Sequence, residues 1–187
     1  MASSIEREPQ EFLYHYSENP DITRFAPHVP VSNPEVVPAV WAIDAARAPV
    51  YWFPRDCPRV AVWAESEDQQ GRMHDRFDTD ANRLQVTLAE WEAPMKSCEL
   101  FEYRFDPQDF VPLAEAQGQW IATIAQQPVG VEPAGSLVER QRSAGVDLRF
   151  VDDVTELADL RHRVLTSGLP FSVVRYRPTH PLRSETR

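Results

Sequence analysis

Ser136-Leu137-Val138-Glu139-Arg140-Gln141-Arg142-Ser143-Ala144-Gly145-Val146-Asp147-Leu148-Arg149-Phe150-Val151-Asp152-Asp153 holds a helix start, a helix stop, a strand and a second helix start in one run. Ser136 with Glu139 forms a capping box, in which a side-chain oxygen and a carboxylate satisfy the free N–H groups of a first helical turn. Gly145 stands where a left-handed residue closes that helix. Residues 146–151 then read as a strand. Asp153 with Glu156 repeats the capping pattern, and Leu157, Leu160 and Val164 line one face of the next helix, which Gly168 closes. Residues 171–177 alternate apolar and basic and read as a last strand.

The chain upstream has the same mixed character. Residues 12–17 read as a first, aromatic strand that ends in the turn signal Glu18-Asn19-Pro20-Asp21. Residues 22–25 suit a short helical turn, and the proline-rich segment 28–38 a loop. The compact apolar runs 39–43 and 59–63 predict buried strands. Between them, Pro49 suits the first turn of a short helix carrying Val50 to Phe53, which Pro54 ends. Residues 65–78 are polar and predict a surface loop. Asp80 can cap a helix in which Leu84, Leu88 and Trp91 share a face. Residues 98–105 alternate and predict a strand, 106–118 a helix, 119–123 a strand and 128–133 an extended segment.

Strands and short helices interleave irregularly, without a repeat. The expected class is α+β: one domain over residues 12–177 with a mixed, mostly antiparallel sheet and short flanking helices. Residues 1–11 are expected to be a flexible N-terminus and 178–187 a flexible basic tail.

Composition narrows the function classes. The chain has 187 residues, 42% hydrophobic and 26% charged, enough to bury a core without a disulfide or structural metal. Its net charge of −10 argues against broad nucleic-acid binding, because such a surface repels phosphate backbones. The 17 prolines are spread along the chain, which predicts many fixed turns rather than a disordered linker. Two cysteines without metal-ligand spacing, no apolar leader core at the first residues and no membrane-length apolar run predict a reduced, cytoplasmic setting. No G-x-G-x-x-G or phosphate-loop spacing occurs.

Two constellations carry candidate chemistry. His15-Tyr16-Ser17-Glu18 joins a titratable imidazole to aromatics and a carboxylate, so His15 and Glu18 are candidates for acid–base work, with Tyr14 and Ser17 as ligand contacts. The alternative is a half-buried histidine beside a solvated turn. No metal site is expected. The second constellation is Val50-Tyr51-Trp52-Phe53-Pro54-Arg55-Asp56-Cys57-Pro58-Arg59. A thiol between arginines suits a nucleophile, with Cys57 attacking and His15 as base. Arg55 and Arg59 suit a small anionic ligand, with Arg175 closing the site. Tyr51 and Trp52, with Trp120 downstream, offer surfaces for stacking a planar ring. The alternative is a structural turn in which Cys57 is a small buried hydrophobe and the arginines are internal staples.

Taken together, His15-Tyr16-Ser17-Glu18, Val40-Trp41-Ala42-Ile43-Asp44 and Phe53-Pro54-Arg55-Asp56-Cys57-Pro58-Arg59 resemble an uncharacterised bacterial family of unknown function. The resemblance extends through Gly118-Gln119-Trp120-Ile121 and the segment from Phe171 to Arg177. A second resemblance is to the opening of ADP-ribosyltransferase-like domains: Leu13-Tyr14-His15, then a strand leading into an aromatic helix. That resemblance implies NAD or a nucleotide-like ligand, His15 against its ADP-ribose part and Tyr51 or Trp52 stacked on nicotinamide. It also implies transfer or hydrolysis at an N-glycosidic bond. That family usually places a glutamate on a later strand. The corresponding strand here, 119–123, has none, which leaves Glu102 and Glu132 as substitutes without a motif.

Overall fold

The computed structural model describes residues 11–29, 37–114, 116 and 118–175. Most of the expected N-terminal segment, the centre of the proline-rich loop, Tyr176-Arg177 and the basic tail lie outside these residues. The chain forms two compact units, each built from two separated segments. Met1–Trp52 with Glu99–Gly135 make the first, and Phe53–Cys98 with Ser136–Arg187 the second. The class is α+β, with two mostly antiparallel sheets where one was expected.

The first unit holds a six-stranded sheet. Its strands are β1 (Leu13–Ser17), β2 (Val40–Ile43), β5 (Phe101–Phe105), β6 (Val111–Pro112), β7 (Gln119–Ala122) and β8 (Gly130–Pro133), in the order β6-β7-β2-β1-β5-β8 and all antiparallel. Side chains alternate between its faces. One face carries the core: Leu13, Val40, Ala42, Tyr103, Phe105, Phe110 and Ala122 cluster there, with Ile22, Phe25, Phe101 and Trp120 packed against them. Phe25 is the plug. It meets the rings of His15, Tyr103 and Phe105 edge-on, at centroid distances of 4.9, 5.2 and 5.1 Å. The buried Tyr103 hydroxyl ties the overlying loop down by donating to Asn19 O (2.6 Å) and accepting from Ile22 N (3.1 Å).

The second unit holds four strands, β3 (Arg59–Trp63), β4 (Arg83–Leu88), β9 (Asp147–Val151) and β10 (Phe171–Val174), in the order β10-β3-β4-β9. Only the β4–β9 pairing is parallel. Helices α1 (Glu67–Phe77) and α4 (Val154–Leu165) supply Met73, Phe77, Leu157 and Val164 to a core with Val60, Val62, Leu84 and Val86. On the opposite face, the fully buried Gln85 of β4 donates to the equally buried Gln141 at 2.9 Å, fixing α3 (Leu137–Ser143) against the sheet. Helix α2 (Glu92–Ser97) packs beside α3.

The run over 136–153 folds with both N-caps and its glycine stop in place, although neither Glu139 nor Glu156 reaches back to close a capping box. Ser136 and Asp153 accept from the backbone N–H groups of Glu139 and Thr155, and Gly145 takes φ +72°. Four expectations are corrected. Residues 65–78 contain α1 rather than a loop, capped by Ser66 and anchored by Met73 and Phe77. The helix expected after Asp80 is instead β4, because Leu84 and Val86 alternate with Gln85 and Thr87 across a sheet buried on both faces. The helix expected over 106–118 reduces to a 3-10 turn at Pro107–Asp109 followed by β6. Residues 22–25 form no helical turn; Phe25 bridges to Gln126. Pro49 does open a short helix, as a 3-10 turn over Ala48–Tyr51.

Candidate functional site

The second face of the six-stranded sheet carries the candidate site. Register places Gln119 opposite Ile43, Ile43 opposite Tyr14, Tyr14 opposite Arg104 and Arg104 opposite Gly130. These residues form one row across β7, β2, β1, β5 and β8. At about 4.8 Å per strand, Gln119 and Arg104 stand roughly 14 Å apart along it. Tyr51, on the 3-10 turn that follows β2, extends the row: its hydroxyl accepts from Gln119 Nε2 at 3.4 Å, and the residue is 37% exposed. At the far end the Arg104 guanidinium lies over Gly130, where a Cβ would come within 3.0 Å of it. Arg104 pairs with Glu132, and Tyr16 donates to Glu102 at 2.8 Å in the neighbouring row. Trp41 belongs to the same face, and nothing among the described residues accepts from its buried indole N–H.

The expected site residues divide between places. Tyr14 and Tyr51 fall on this row. His15 and Trp120 fall on the core face, flanking Ala42. His15 Nδ1 lies 3.0 Å from Trp41 O. A carbonyl only accepts, so Nδ1 carries the proton. This side-chain bond forms where the β1–β2 ladder holds a single registered pair, Tyr14 with Ile43. Ser17 is buried, with its hydroxyl accepting from Asn19 N at 3.1 Å, whereas Glu18 is an exposed turn residue. Trp52 is buried, at 9% exposure.

The remaining candidates belong to the second unit. Cys57 is fully buried, and burial pushes its thiol up to about 11, well away from the nucleophilic range. Arg59 is also buried. It donates to Cys57 O at 3.1 Å and lies over the Phe53 ring at 4.8 Å, so it staples its own turn rather than reaching for an anion. Arg55 is exposed on that turn. Arg175, in the left-handed region at φ +54°, approaches Asp56 at 3.7 Å. Among the described residues no group of three or more His, Cys, Asp or Glu side chains could hold a metal ion, and no helix is long and apolar enough to cross a membrane.

Sequence reading missed Arg104 and Gln119 as site residues. The alternation of Phe101, Tyr103 and Phe105 already implied that Glu102 and Arg104 point the other way. Thr87, the partner of Cys57, was hidden by the helical reading of its segment.

An α+β protein of two sheets, with an aromatic and amide row on one of them, is the class that fold and site define. The chain matches a family of unknown function (DUF6886) over residues 14–179 and belongs to that family. No curated protein and no solved structure gives a significant match.

Proposed function

We propose that the protein binds a nucleotide-like ligand, with NAD the first to test, on the Tyr51–Gln119–Tyr14–Arg104 row, and that it does not transfer ADP-ribose. The observation that carries this reading is the exposed Tyr51 ring held by Gln119 in line with Tyr14. An exposed ring beside an amide suits a planar base: the ring stacks, and the amide can both donate and accept at the base edge. Arg104 offers a planar cation to a phosphate, in exchange for its exposed pairing with Glu132. The unpartnered Trp41 N–H supplies a further donor on the same face, where a ligand acceptor would relieve a buried polar group.

The absence of transfer follows from charge. Stabilising an oxocarbenium-like transition state calls for an anion beside the reacting sugar; the strand expected to supply one offers the neutral Gln119, and the carboxylates on the same face, Glu102 and Glu132, stand three and four strands away from it. His15 is directed away from this row, into the Phe25 contact of the opposite face. Calorimetry with NAD, ADP-ribose and AMP tests the binding, and mass spectrometry of the NAD mixture tests the chemistry. Saturable binding that Tyr51→Ala weakens by about 1–3 kcal/mol, the usual worth of a base–aromatic stack, is expected, with no nicotinamide released. Failure of all three nucleotides to bind overturns the reading; nicotinamide release overturns its non-transferring part.

A further inference from the structure

We propose that the cavity between α4 and the β4–β9 edge of the second sheet binds a small organic cation with an apolar body. It measures about 310 Å³, at the small end of ligand cavities. All of its lining lies within the second unit, so it is separate from the row on the first.

Its floor is apolar. Leu84 and Val86 rise from β4, Val151 from β9 and Leu160 from α4, and Phe77 at the end of α1 closes one side. Such a surface accepts an aliphatic or aromatic body by excluding water from both partners. Charge at the rim decides the class of ligand. Arg149 and Arg163 stand there with Glu156 and Asp159, but the two arginines are committed. Arg149 grips the Asp147 carboxylate through Nε (3.0 Å) and Nη2 (2.6 Å). It also donates to Phe77 O (3.1 Å) and Asp78 O (2.7 Å). Arg163 donates to Arg76 O and lies over the Phe77 ring at 5.2 Å. Those three carbonyls are the open end of α1, which lacks intrahelical donors. The arginines therefore serve as the cap of a helix.

Glu156 and Asp159 differ. They sit at i and i+3 on α4, on one face, and neither has a hydrogen-bond or ion-pair partner among the described residues. The uncommitted polar groups at the mouth are thus two carboxylates above an apolar floor. An ammonium placed between them, with its hydrocarbon body on the partly exposed Val151 and Leu160, satisfies both.

The test is a head-group series on one body: phenylbutylamine, phenylbutanol and phenylbutyrate, titrated into the full chain and followed by amide NMR shifts. Phenylbutylamine is expected to give saturable shifts at Val151, Asp159 and Leu160 and to bind about tenfold tighter than phenylbutyrate. The Glu156→Gln/Asp159→Asn double variant, checked for an unchanged fold by its spectrum, is expected to lose that preference. No saturable shifts for any of the three overturns the site. Equal or tighter binding of phenylbutyrate, or a preference that survives the double variant, overturns the cation class.

Discussion

The Thr87 hydroxyl has one proton, and it goes to Pro58 O at 2.6 Å, because a carbonyl only accepts. Thr87 Oγ1 therefore accepts from the Cys57 thiol at 3.2 Å. Burial above all holds the sulfur in its protonated form, and it outweighs the nearby Arg59 charge, which acts the other way. In sequence, two flanking arginines advertise a reactive thiolate; in the fold, one of them turns back onto its own backbone. The distinction lay in the burial of Cys57 against β4, distant along the chain, and so was not legible from the turn alone. Native protein at pH 8 is expected to resist iodoacetamide at Cys57, with alkylation appearing only on denaturation; mass spectrometry of the labelled peptide checks this. The raised value also has a linkage consequence with a defined sign. Its stabilising contribution is full below the ordinary thiol value of 9.0 and is lost as pH rises toward about 11. The stability difference between the wild type and Cys57→Ala, followed by denaturant melts, should shrink across that window.

At the scale of elements, punctuation was more legible than polarity. Caps and glycines located α3, β9 and α4, since Ser136, Gly145 and Asp153 act through local backbone geometry. Helix α1 was missed because it buries few residues, and its stability rests on the Ser66 cap, a first-turn Glu67-Asp68 pair and the arginines that close its end. Strand β4 was misread because a sheet covered on both faces shows no clean apolar alternation. The candidate row was legible in part. Tyr14 and Tyr51 stood out as aromatics, while Gln119 gains its meaning only from strand register. That register depends on the turn before β7. Gly118 takes φ +79°, its carbonyl accepts from Asp44 N at 2.9 Å, and a Cβ there would lie 2.1 Å from Arg47 Cγ. Gly118→Ala should cost about 1–3 kcal/mol in a thermal melt, through both strain and collision, and should weaken nucleotide binding by displacing Gln119.

At the scale of the whole molecule, neither unit is continuous in sequence. Legibility ends here, because local signals report elements and not which distant segments they join. The first unit closes when residues up to Gly135 are present, whereas the second takes β9, α4 and β10 from beyond it. A fragment ending at Gly135 is therefore expected to keep the six-stranded sheet and leave residues 53–98 unfolded. Hydrogen exchange should show protected amides in β1, β2, β5 and β7 and none in β3 and β4. Protection of β3 and β4 in that fragment would refute the assignment of segments to units.

The same arrangement bears on synthesis at the ribosome. Strands β3 and β4, joined through α1, emerge as an antiparallel pair, with Arg59–Trp63 buried at every position in the finished fold, and both outer edges of the pair wait for β9 and β10. At about 5–20 residues per second, the nascent chain carries those open edges for roughly 4–17 seconds. In that interval the pair is a template for any neighbouring extended chain. Slowing elongation downstream of Leu88 lengthens the exposure, so rare codons placed there would lower the yield of folded protein without altering a single residue of it.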